Sequence, residues 1–175
     1  PCDANESVTA WQLALSTTDA PSVLCFTRQS LPILEETANS TNREMAAQTG
    51  ASILFDATEP ELVICATGSE VHLALDAAKL LSERGKRARV VSMLCREQFQ
   101  RCSTDAQEAL MPGELPTIYV EAGVRGSWGG WRLPSNVRVV SIDRFGASAP
   151  GAVVAKNLGL TVDAIVKSAV ELLGA

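Results

Sequence analysis

Histidine is nearly absent from this chain: His72 is the only one among 175 residues. It falls on a predicted helix two residues from Glu70 and off that residue's face, so it reads as a surface residue, not a base. No Ser-His-Asp or Cys-His nucleophile system is legible without a second histidine. Aromatic residues make up 5% of the chain and no basic run occurs, which argues against a base-stacking or phosphate-tracking nucleic-acid surface. Lys and Arg number 15 against 20 Asp and Glu, a formal net charge of -5, and that balance repels polyanions. No apolar run approaches the ~20 residues that span a bilayer, so no membrane partner is expected. The polar opening at Asp3, Asn5 and Glu6 is not a signal peptide. There is no C-x-x-C, and the five cysteines are odd in number, so neither a zinc site nor a disulfide framework is indicated. Cys25 and Cys65 lie in apolar runs and read as small core residues. G-x-G-x-x-G and G-x-x-x-x-G-K-[ST] are both missing.

The chain does have material for a core: 46% hydrophobic and 20% charged residues, enough for one domain, or one plus a fragment. Leu62–Ala66 is a short apolar run that meets Gly68-Ser69, and helical spacing follows at Val71, Leu73, Leu75, Ala78 and Leu81. That pattern predicts a buried strand feeding a helix over 69–84, stopped by Gly85. Further strands are expected at 53–56, 87–92, 117–121 and 137–142. Helices are expected within 95–111, with Ser103 or Thr104 as a cap, and over 149–158 and 162–173, the last capped by Thr161. Such alternation predicts an α/β fold with a mostly parallel sheet covered on both faces. Residues 1–50 read differently. A helix capped by Asn5 or Ser7 carries Val8, Trp11, Leu13 and Leu15, Asp19-Ala20-Pro21 breaks it, and Ser22–Phe26 reads as a strand. Residues 35–50 read as a polar connector with one helical turn at 43–48.

Two positions invite an anion. Gly68-Ser69 opens a helix whose N–H groups could hold one, but with both phosphate-loop motifs missing it reads as a tight turn with Ser69 as cap. Arg28 follows a predicted strand, the end of a parallel sheet where α/β proteins place ligands, and its rigid fork of donors suits a phosphate. The loop Gly123–Trp131, rich in Gly and Trp, reads as a surface loop packing on a neighbouring subunit or domain; a small-ligand pocket is the alternative. Glu35, Glu36, Asp76 and Glu83 read as solvated faces.

Five phrases occur in order: Pro1-Cys2-Asp3-Ala4-Asn5-Glu6, Phe26-Thr27-Arg28-Gln29-Ser30-Leu31-Pro32, Ala66-Thr67-Gly68-Ser69-Glu70-Val71, Arg89-Val90-Val91-Ser92-Met93 and Phe145-Gly146-Ala147-Ser148-Ala149-Pro150. Together they resemble the C-terminal part of transketolase over nearly the whole chain. The loop at 123–131 departs from that family's pattern. The resemblance implies a transketolase C-terminal domain over 51–175, a three-layer α/β unit. Residues 1–50 would be a helix-strand remnant that ends the pyrimidine-binding domain, plus a connector. It implies that Arg28, in the matching phrase Thr27-Arg28-Gln29, helps bind the phosphate of a sugar substrate. The intact enzyme would transfer a two-carbon ketol unit between sugar phosphates in the pentose phosphate pathway, as a cytoplasmic homodimer using thiamine diphosphate and a divalent cation, Mg²⁺ or Ca²⁺. The family's cofactor, metal and catalytic residues lie upstream of the matched region, so none is expected here and the fragment alone is expected to be inactive. Its partners would be the remaining transketolase domains. Two other readings stay open: dihydroxyacetone synthase of the same family, and a stand-alone non-catalytic α/β binding or assembly module.

Overall fold

In the computed structural model, residues 1–128 and 136–174 are described. One five-stranded sheet organises them, in the order β1-β3-β2-β4-β5: β1 Ala51–Asp56, β2 Leu62–Ala66, β3 Ala88–Met93, β4 Thr117–Val120 and β5 Val137–Val140. Three of the four pairings are parallel, with Ile64 level with both Val90 and Ile118. Only β1 runs antiparallel, against β3, with a register shift between Ile53 and Phe55. A parallel strand buried on both faces needs continuous hydrophobicity, and every residue of β2 is buried.

Helices cover both faces. α4 (Glu70–Glu83) and α8 (Val162–Leu173) pack with Ile64, Val90 and Ile118 on one side. On the other, Phe99 of α5 (Arg96–Arg101) and Leu110 of α6 (Thr104–Leu110) pack with Val63, Cys65, Val91 and Tyr119. Ser103 and Thr161 accept hydrogen bonds from Ala106 and Ala164 as side-chain caps. Gly85 follows α4 in the left-handed region. α7 (Gly151–Leu158) precedes α8.

The first 50 residues depart from expectation in three ways. α1 (Ala4–Ser16) is capped by Asp3, not by Asn5 or Ser7: the Asp3 carboxylate accepts from the Glu6 N–H. Residues 35–50 hold two helices, α2 (Glu35–Ala38) and α3 (Ser40–Thr49), instead of one turn at 43–48. The polar Asn39 that suggested a connector is a cap, accepting from the Thr41 N–H. Gly50 ends α3 at φ +78°, and a Cβ there would collide with the carbonyl oxygen of Cys95, so only glycine fits. Third, Ser22–Phe26 forms no strand: residues 17–27 carry no helix or ladder. A strand exists only with a partner to accept its hydrogen bonds, and none lies beside this segment among the described residues. Cys25 is accordingly exposed, not a core residue.

Candidate functional site

The carboxyl ends of β2 and β3 point their chains to opposite faces, β2 into α4 and β3 into α5. Such a divergence is where open α/β sheets bind ligands. Here a cleft of about 530 Å³ opens at this edge. Its walls are Thr67–Glu70 after β2, Met93, Leu94 and Arg96 after β3, and Glu121–Gly123 after β4. Opposite them lies the strap Val23–Thr27.

The strand-turn-helix at Gly68-Ser69 is a tight turn, with Gly68 at φ +53° and the Glu70 and Val71 N–H groups bonded back to the Thr67 and Gly68 carbonyls. Ser69 stands in the cap position without capping. Its hydroxyl donates to Glu70 Oε1 (2.6 Å), while Glu70 Oε2 accepts from the Ala122 N–H (3.3 Å). Glu70 is buried, so the negative charge that a helix N-terminus favours is supplied by the helix's own first residue.

The start of the chain is tied to β3 and to α4. Glu6 is buried, accepting from the Cys2 N–H (2.8 Å) and, in a short hydrogen bond, from the Ser92 hydroxyl on β3. His72 Nε2 donates to the Cys2 carbonyl (3.0 Å), so the histidine is a half-buried tether to the N-terminus instead of a solvated residue. Burial, reinforced by the Glu6 and Asp3 carboxylates, pushes the Cys2 thiol well up; burial does the same to Cys65. Both are thereby kept as unreactive thiols.

Trp128 corrects the expectation of an outward-packing loop. It closes a 3-10 turn, Arg125–Trp128, and is fully buried within this chain, stacked on Tyr119 at 4.3 Å between ring centres. The Arg96 guanidinium lies 5.8 Å from the Trp128 ring centre. Gly129, Gly130 and Trp131 lie outside the described residues. Asp143 accepts from the Arg125 N–H (2.6 Å), which, with the guanidinium, holds its carboxyl below its ordinary value.

Arg28 sits in a bend at the end of the strap, after a turn in which the Gln29 N–H bonds Thr27 Oγ1 (3.2 Å). It is exposed, and its guanidinium makes no hydrogen bond or ion pair among the described residues. Sequence reasoning passed over Asp3, Glu6, Thr37 and Ser92. The Asp3-x-x-Glu6 spacing, a cap signature, was the available signal.

A family model described as the transketolase-like C-terminal domain matches residues 50–161. Transketolase 2 of Vibrio parahaemolyticus is 38% identical over 175 residues, covering 99% of this chain and 26% of that protein. The chain thus spans about a quarter of the length of the relatives it matches. Among solved structures, transketolase from Leishmania mexicana superposes with a TM-score of 0.87 at 39% identity, over 99% of this chain and 24% of that one. A Pichia stipitis transketolase in complex with sedoheptulose-7-phosphate gives 0.88 at 32% identity, with the same two coverages.

Proposed function

From the premise that this chain belongs to the transketolase family, we propose that it is the C-terminal part of an enzyme that transfers two-carbon ketol units between sugar phosphates. Residues 51–175 form its C-terminal domain. Residues 1–50 complete a pyrimidine-binding domain contributed by the rest of the polypeptide. Two observations support a reading in which thiamine diphosphate and its divalent cation are held elsewhere in the enzyme. At the start of α4, which resembles a diphosphate cradle in outline, the Glu70 carboxylate accepts from the Ser69 hydroxyl and the Ala122 N–H and brings a negative charge of its own. Among the described residues no three His, Cys, Asp or Glu side chains gather to hold a metal. We assign both to the remaining domains, and with them ketol transfer itself, in a cytoplasmic homodimer.

Arg28 supplies this chain's contribution to the substrate site. The observation that carries this is its guanidinium, exposed on the strap with no intramolecular partner among the described residues, in a family whose solved members include a sugar-phosphate complex. A planar fork of donors holds a phosphate dianion through two parallel charged hydrogen bonds.

In the intact enzyme, Arg28→Ala should remove interactions worth roughly 1.5–3 kcal/mol, on the order of a 10–150-fold loss in kcat/KM. The loss should fall on phosphorylated sugars and largely spare hydroxypyruvate with an unphosphorylated acceptor. Arg28→Lys should recover only part, because an ammonium keeps the charge but loses the fork. Equal losses for both substrate pairs would remove the phosphate role. Efficient use of formaldehyde as acceptor would move the assignment to dihydroxyacetone synthase.

A further inference from the structure

The strap that bears Arg28 has no secondary structure of its own, yet the excursion that α1 and the strap make together is closed by one side chain. Asp3 is buried, 5% exposed. Its Oδ1 accepts from the Glu6 N–H at the start of α1 (2.9 Å), and its Oδ2 accepts from the Leu34 N–H (3.0 Å) and the Thr37 hydroxyl (2.5 Å) where α2 begins. Asn5 Nδ2 adds a bond to Thr37 Oγ1 (3.1 Å). Leu34 lies 31 positions from Asp3 in sequence, so a single carboxylate closes the whole excursion through α1 and the strap. Glu6, bonded to Ser92, pins that closure to β3.

We propose that Asp3 is a positioning residue for Arg28: the clasp at Leu34 and Thr37 sets where the strap leaves the domain and so where the guanidinium is held. The inference rests on the phosphate role proposed for Arg28. Without the carboxylate the closure rests on the Asn5 amide and the packing of Leu34 alone, and each residue released regains backbone freedom. Arg28 would then sample many positions, and a phosphate would have to select the competent one, which raises the apparent dissociation constant by the fraction lost. Ketol transfer on substrates without phosphate does not draw on that position.

The test is a cycle in the intact enzyme with Asp3→Asn, Arg28→Ala and both together, assayed on phosphorylated and unphosphorylated substrate pairs. An amide keeps the shape but cannot accept from both sets of donors at once. Asp3→Asn should raise KM for the phosphorylated pair about tenfold with kcat nearly unchanged, and should add little once Arg28 is gone. Exchange of the Leu34 amide, which donates to Asp3, should speed up while Leu62–Ala66 keeps its protection. If Asp3→Asn does not fold, Thr37→Val removes one of the two donors at Oδ2 without changing volume and should shift KM in the same direction by a smaller factor. A selective Arg28→Ala with an Asp3→Asn that lowers both pairs equally, or adds fully to Arg28→Ala, overturns the clasp and leaves the phosphate role standing. An unselective Arg28→Ala overturns both.

Discussion

The turn Thr67–Ser69 and the strap Val23–Thr27, which leads on to Arg28, border the same cleft, and they are opposites in how their polar groups are satisfied. The turn has the outline of an anion site, a strand leading through glycine into a helix, but the helix's first residue, Glu70, brings its own negative charge, accepting from the Ser69 hydroxyl and from the loop after β4. The strap has no such outline. Its one cation is exposed and makes no bond inside the described chain. A helix N-terminus binds an outside anion only while its own residues leave the positive end unoccupied. The difference separates a segment built for stability from one held open.

The sharpest break of this comparison is kinetic. Cys65 ends in the buried sheet two residues before the turn, while Cys25 lies exposed in the strap. A maleimide pulse on the native chain, read by mass spectrometry, should label Cys25 at least ~1000-fold faster than Cys65, which needs an opening costing ~4 kcal/mol or more. Similar rates would mean the strap is as covered as the sheet.

Glu70→Ala comes next. It leaves a hydroxyl and the Ala122 N–H without their acceptor, so urea unfolding should show a loss of about 2–3 kcal/mol. In the unsubstituted chain, millimolar inorganic phosphate should leave the amide resonances of residues 68–71 in place. A saturable shift there would make the turn an anion site after all.

Backbone effects are smaller. Gly68→Ala forces a side chain into a left-handed turn and should cost about 1 kcal/mol, whereas Val23→Ala in the strap, 84% exposed in the wild type, should stay within ~0.5 kcal/mol. Comparable costs would show the strap to be packed.

The smallest effect concerns the loop beyond β4. The Asp143 carboxyl is held below its ordinary value, chiefly by the Arg125 N–H, so its contribution is present above the unfolded pKa and fades as pH falls through the folded one. Asp143→Asn should lower the melting temperature slightly at neutral pH, leave it unchanged at pH below the folded pKa, and so flatten the acid limb of a thermal-melt pH series. An unchanged acid limb would remove this pairing from the account.

Much of the sheet was legible without coordinates, because burial on both faces writes itself as unbroken apolar runs. Leu62–Ala66 is the clearest case, and the caps Ser103 and Thr161 are local chemistry read within three residues. The first 50 residues were harder for a physical reason. Ser22–Phe26 has the composition of a strand, but composition cannot say whether a neighbour exists to receive its hydrogen bonds. Arg28 was legible as a candidate; that it stands at the end of a segment with no ladder of its own was not.

By itself, then, the order of residues determined the alternation of strands and helices, the parallel core and the family phrases, all of which depend on periodicity and contacts near in sequence. Tertiary structure alone decided the rest: that Glu70 accepts from the loop after β4, that Trp128 packs inward on Tyr119, that Asp3 reaches 31 positions to Leu34 and that Ser92 reaches Glu6 across 86. Those bonds join groups far apart along the chain, and a buried carboxylate finds its donors only once the fold has brought them within reach.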